Sequence, residues 1–282
     1  LGSVYRSLGQ YQRAIEFLQQ SLEIKREIGD RNGEGNSLIG LGNAYNSLGQ
    51  YQRAIEFLQQ SLEISREIGD SPEERLRQRN GEGNSLNNLG NAYKSLGQYQ
   101  RAIEFLQQSL EIKREIGDRN GEGASLISLG SAYYSLGQYQ RAIEFYQQSL
   151  EIKREIGDRN GEGASLVNLG SVYNSLGQYQ QAIEFHQQSL EIKREIGDIR
   201  GEAIAWFNLG LSLENLNGES DALGAYRNAR ELYQAMGLNA NVLDCNNAIE
   251  RLSQPKTPVV SRRGFWVWLR RLWRWVRSWF RQ

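Results

Sequence analysis

The sequence predicts an all-α solenoid of stacked antiparallel helix pairs, followed by a separate C-terminal amphipathic helix. Three observations carry that expectation. The segment SLGQYQRAIEF begins at Ser7, Ser47, Ser95 and Ser135 and returns as SLGQYQQAIEF at Ser175, at steps of 40, 48, 40 and 40 residues. A fixed period in this range marks a stacked helical array. Within each period the apolar residues follow helical spacing twice, with a glycine between the two runs. The last nineteen residues, 264–282, hold five of the six tryptophans and no acidic residue, and nothing upstream resembles them.

The elements follow in chain order from the unit at Asp30. Asp30 is placed to cap a first helix over Arg31–Leu48, its carboxylate accepting orphan amide protons. Leu38, Leu41, Ala44, Tyr45 and Leu48 form the apolar face of that helix, and Gly49 breaks it. A second helix runs over Tyr51–Ile68 and ends at Gly69, a good left-handed terminator. It carries two apolar stripes: Tyr51, Ala54, Ile55, Leu58 and Leu62, and beside them Phe57, Ser61, Ile64 and Ile68. A helix apolar on two sides must be held between its own hairpin and the next one. Each such interface supplies several kcal/mol at about 25 cal/mol per Å² of apolar area, roughly offsetting the entropy of ordering a repeat.

Between Asp70 and Arg79 the chain inserts SPEERLRQ. Ser71, Pro72 and Glu74 make a strong helix start, so the insertion is expected to add about two turns to the front of the next first helix. A decayed copy, NLNGESDALGAY, begins at Asn215. NANVLDCNNAIERLSQ then reads as a terminal capping helix over about 239–253. The expected organisation is a solenoid over 1–253, with a truncated first repeat, a decayed last repeat and that cap. A linker over 254–263 and the Trp/Arg-rich helix over 264–282 follow. The chain opens in mid-pattern without Met, and further residues are expected before it.

Here the residues reach a known family. Leu41-Gly42, Tyr45, Gly49, Tyr51 and Ala54, with Leu58 and Ser61 at the later apolar and small positions, resemble the tetratricopeptide repeat signature. The closing proline is absent, with Arg66 in its place, and the period is 40 rather than 34. The variant is similar to the longer repeats of kinesin light chains, of Pins-type regulators and of bacterial, particularly cyanobacterial, arrays. The resemblance implies a right-handed superhelix whose first helices line a concave groove for a protein or peptide. The matching groove positions are Asn36, Ile39, Asn43 and Asn46; Asn84, Asn87, Asn91 and Lys94; Ile127, Ser131 and Tyr134; and Val167, Ser171 and Asn174. Differences between the near-identical copies concentrate there and beside them. Two readings stay open: a groove tuned for an extended backbone, which Asn amides suit, or exposed surface free to vary. Relatives that clamp a carboxylate need several basic groove residues. Lys94 alone is basic here, which sets that partner class aside.

Composition excludes much else. The 33 basic and 33 acidic residues balance, but eight of the basic ones lie in 256–282 with no acid, leaving 25 against 33 upstream. An acidic body with a basic tail suggests a tail with its own partner. Mean hydropathy is −0.62, the polarity of an array without a large central core. One cysteine, Cys245, rules out an internal disulfide and suits a reducing, cytoplasmic setting. His186 stands where other copies have leucine or tyrosine, a packing substitution, and it is the chain's one histidine. RNGEG follows a helix and lacks Lys-Ser/Thr, so it is a turn rather than a phosphate cradle. Glu23 and Glu27, one turn apart, read as a solvated charged face. No nucleophile, base, metal or cofactor set is visible, which points away from an enzyme.

On a helical wheel, Arg270, Arg271, Arg274, Arg277 and Arg281 gather within about 120°. Trp266 lies near the border, and Trp268, Trp273, Trp275, Trp279 and Phe280 fill most of the rest. Such a helix, about 27 Å long, suits lying in the plane of an anionic membrane surface, arginines at headgroups and tryptophans at the interface. Spanning is disfavoured by central arginines at about 2.5–3.5 kcal/mol each. Docking on another protein or on its own array is the main rival, and nucleic-acid binding through Arg and Trp is disfavoured by the acidic body. The sequence thus suggests a non-enzymatic adaptor peripheral to a membrane. The alternative is a cytoplasmic regulatory arm, latched by its own tail or belonging to a larger enzyme.

Overall fold

The computed structural model describes residues 1–7, 9–67 and 71–254. These are helical throughout, with no strand among the described residues. The helices are α1 (Gly2–Ser7), α2 (Tyr11–Glu27), α3 (Arg31–Ser47), α4 (Tyr51–Ser65), α5 (Pro72–Ser95), α6 (Tyr99–Glu115), α7 (Arg119–Ser135), α8 (Tyr139–Glu155), α9 (Arg159–Ser175), α10 (Tyr179–Glu195), α11 (Ile199–Asn215), α12 (Glu219–Ala235) and α13 (Asn239–Ser253). The expected C-terminal helix and its linker lie outside the described residues, as do Ile68 and Gly69 at the expected end of the second helix.

Local chemistry sets the boundaries. Asp30, Asp118, Asp158 and Asp198 each accept the amide of the glycine three residues on, at 2.8–2.9 Å. They cap α3, α7, α9 and α11. α5 starts differently. Ser71 accepts from the Glu74 amide while Glu74 reaches back to the Ser71 amide, a reciprocal capping box with Pro72 inside the first turn. The helix is 24 residues long against 17 for α7, so the insertion is two extra turns, as its sequence predicts. First helices end in a left-handed glycine. At Gly49, with φ 74°, its amide and that of Gln50 return to the carbonyls of Asn46 and Tyr45. In the decayed copy Asn217 takes that place at φ 63°, asparagine being among the few side chains that accept the conformation.

Each second helix is held on two sides, as its two stripes require. Within a pair, Tyr45 stacks on Phe57 at 5.3 Å and Tyr93 on Phe105 at 5.2 Å. The core runs along the array as successive clusters, the first two built on fully buried leucines such as Leu38, Leu41, Leu58, Leu86 and Leu106. Buried serines stitch neighbours together. Ser61 donates to the Gly35 carbonyl within its pair and shares a hydrogen bond with Ser85 of the next first helix; Ser109 and Ser149 repeat the pattern. Cys245 is buried in α13 against Ala229 and Tyr233, and burial pushes its thiol up to about 11.

Charged side chains also enter the interfaces, which the sequence reading did not anticipate. Glu34, only 6% exposed, takes Arg26 of the preceding pair and Arg31 of its own. Arg31 also meets Glu67. The motif recurs at Glu82, Glu122 and Glu162, giving an ion lattice along the array. Burial alone would raise the Glu122 carboxyl, but its two guanidiniums hold it below the usual carboxylate range. Glu23 and Glu27 are exposed.

The concave face as candidate functional site

Consecutive first helices touch one another, α3 with α5, α5 with α7, α7 with α9 and α9 with α11, while the second helices make no comparable approach. Close spacing on one side and wide spacing on the other bends a stack, and the first helices form its inner surface. The predicted groove residues all lie on these first helices.

Their environments differ. Asn36 is exposed, and Ile39, Asn43 and Asn46 are half-buried on α3. The Oδ1 atoms of Asn46 and of Asn87 on α5 are buried without a hydrogen-bond partner. Lys94 is half-buried and forms no hydrogen bond or ion pair with a described residue, and burial lowers its ammonium below the ordinary lysine value. Other predicted residues hold neighbouring helices together. Asn91 Nδ2 donates to Ser128 Oγ at 3.1 Å, and the Tyr134 hydroxyl meets Ser175 Oγ at 2.8 Å. Asn174 Oδ1 accepts from Asn215 at 3.2 Å. Ser131 Oγ accepts from the buried Tyr146 hydroxyl. Ser171 donates to the Val167 carbonyl within α9, and Val167 and Ile127 are half-buried apolar contacts of the core. Asn84 turns its Oδ1 to the Lys113 ammonium at 2.7 Å.

The structure divides the predicted set by task. On the α3–α5 part of the stack, Asn36, Asn43 and Lys94, with the amide nitrogens of Asn46 and Asn87, have no side-chain hydrogen bond among the described residues, whereas the Oδ1 atoms of Asn46 and Asn87 are closed off from solvent. Asn91, Tyr134 and Asn174 bridge consecutive first helices, and Ser131 bonds within its own pair. The spacing between first helices decides this, because side chains about 40 residues apart come within direct hydrogen-bond reach.

Two depressions bring in residues beyond the predicted groove positions, among them Arg200, Gly201 and Ile204 of α11. Ala164, Val167 and Asn168 of α9 face Ile204, Arg200 and Gly201 of α11 across a mainly apolar hollow of about 320 Å³. Ile204 stays 38% exposed there. It occupies the position of Ala164 one unit earlier, so extending the groove pattern into the last first helix would have found it. A second, polar cleft of about 200 Å³ lies between α3, α4 and α5. Among the described residues no group of His, Cys, Asp and Glu could hold a metal ion, and no helix is long and apolar enough to cross a membrane. Trp266, Trp268, Arg270 and the other tail residues lie outside the described residues.

The family model of the tetratricopeptide repeat matches residues 1–67, 81–155 and 161–235. No curated protein matches the sequence significantly. Among solved structures, BtubC (BKLC) from P. vanneervenii is similar at 18% identity and a TM-score of 0.67, over 80% of this chain and 92% of that one. A putative kinesin light chain of Podosopora anserina with nearly identical repeats is similar at 28% identity and a TM-score of 0.52, over 70% and 93%. A Rap protein complexed with Competence and Sporulation Factor is similar at 16% identity and a TM-score of 0.62, over 89% and 72%.

Proposed function

The chain belongs to the tetratricopeptide repeat family, and from that premise we propose that it is a non-enzymatic scaffold that binds a protein or peptide along its concave face. One observation carries the reading: the α3–α5 part of that face gathers Asn36, Asn43, Lys94 and the amide nitrogens of Asn46 and Asn87, none of which has a hydrogen-bond partner among the described residues. An extended backbone offers alternating donors and acceptors that such amides satisfy, and an acidic group would relieve the unpaired ammonium of Lys94. The Rap complex, a likeness of fold, is in keeping with a partner on this architecture. The test is affinity capture with the full chain against an Asn43→Ala/Asn87→Ala/Lys94→Glu variant whose helicity is unchanged. Loss of the captured polypeptides in the variant supports the groove; unchanged capture contradicts it.

The same reading gives residues 264–282 the role of a membrane-surface tether. The charge split supports it, since the tail concentrates basic residues and tryptophans behind an acidic array. Anionic lipid attracts each basic residue by about 1 kcal/mol near the surface. Flotation with anionic vesicles should carry the full chain and leave behind a chain ending at residue 263. Equal behaviour of the two removes the tether and leaves the scaffold.

A further inference from the structure

We propose that the cleft between α3, α4 and α5 is a specificity pocket for an acidic side chain of the scaffold's polypeptide partner. At the other junctions a lysine side chain fills the equivalent place. Lys113 on α6 is 3% exposed in side chain. Its stem passes between two glycines, Gly83 of its own pair and Gly121 of the next, where an added Cβ would meet it at 3.1 and 2.7 Å. Its ammonium reaches Asn80 and Asn84 Oδ1 at 2.5 and 2.7 Å and Asp118 at 2.9 Å. Lys153 and Lys193 repeat this with Asn120 and Asp158, and with Asn160 and Asp198.

At the α4 junction that plug is missing. Ser65 stands in the lysine position and turns its hydroxyl back to the Ser61 carbonyl. The matching glycines, Gly35 and Gly81, now border an open cleft of about 200 Å³, room for one side chain of glutamate size. The insertion changes the charge as well. Immediately before Arg79, where the other junctions place the capping aspartate, stands Gln78, and the added turns bring Arg77 to the rim.

Among the described residues the charged lining of the cleft is thus Arg31 and Arg77. Arg31 is neutralised by Glu34 and Glu67, whereas Arg77 makes no ion pair with a described residue. On the α5 wall, Lys113 draws the Oδ1 atoms of Asn80 and Asn84 to itself, which leaves their amide N–H groups as the atoms with capacity to donate. A rim guanidinium and two amide donors, with no acid among the described lining residues, match a carboxylate. The cleft opens beside Asn36, Ile39 and Asn84 of the concave face, so a polypeptide lying there has a side chain within reach.

This proposal rests on the groove reading, but its test does not need the natural partner. The full chain is titrated with N-acetyl-glutamate N-methylamide while the backbone amide signals of Ser65 and Gly81 are followed by NMR, with the glutamine and lysine analogues as controls. The expected result is a saturable shift with the glutamate probe alone. That shift should weaken about tenfold in Arg77→Glu and in Ser65→Lys, the latter restoring a side chain that the same site accepts at four other places in the chain. No saturable shift, equal response to the glutamine or lysine probe, or binding that persists in Ser65→Lys overturns the pocket. Partner capture that survives Ser65→Lys and Arg77→Glu but is lost with Asn43, Asn87 and Lys94 retires the pocket and leaves the scaffold reading standing.

Discussion

His186 shows at one residue how a repeat tolerates and registers a substitution. It lies 1% exposed where Leu18, Leu58 and Leu106 sit in other copies, packed over Gly170, whose missing Cβ leaves room for the ring. Its Nδ1 has no partner, and burial lowers its pKa to about 4 from 6.5. A group depressed on folding contributes stability that is complete above its unfolded value and is lost as pH falls through the folded one. Stability should therefore decline by about 3 kcal/mol between pH ~6.5 and ~4. His186→Leu should flatten that stretch of the profile and stabilise the array by about 1–3 kcal/mol at neutral pH, as read by urea unfolding. The paired carboxylates Glu34, Glu122 and Glu162 are also depressed, so their contribution disappears below the usual carboxylate range in both proteins. That His186 is a packing residue was legible from its alignment with leucines. The buried lysines were not, because EIKREIG reads as one more solvated charge run; the glycine pairs in NGEG, read as a turn, are the space those stems use. Lys153→Ala should cost about 2–4 kcal/mol, from a lost stem and an unpaired Asp158. Lys153→Met, which keeps the stem, should cost less.

Among the elements, α5 was the most legible departure from the repeat, because Ser-Pro-x-Glu specifies a helix start whatever surrounds it. Its capping box is solvent-exposed, so the effect of removing it should be local. Ser71→Ala should cost about 1 kcal/mol and speed hydrogen exchange in the first two turns of α5, leaving α7 unchanged. Equal exchange changes in α7 would mean that the added turns brace the next pair. The tasks of the first-helix side chains were harder to read. Asn43 and Asn91 occupy matching positions, yet Asn91 meets Ser128 at the next helix, and that partner depends on the distance between helices rather than on either local sequence. Periodicity places residues on a face; it does not say which of them face a neighbour.

At the scale of the molecule, the 40-residue period specified the stack, and two apolar stripes on every second helix specified that it continues. What the period did not convey is the ion lattice, since each buried glutamate draws arginines from two pairs at once. It runs from Arg26 to Glu202 and loses its next arginine where Ile199 replaces Arg159. Curvature follows from first helices packing closer than second helices, and it sets the first helices on the inner surface. The central claim is that this inner surface is where a partner lies. Photo-crosslinking residues placed singly at Asn43, Asn87 and, on the outer helices, Glu104 test it most directly. Adducts with captured polypeptide should form from the first two positions and not from the third; adducts from Glu104 alone, or from all three alike, would contradict the account.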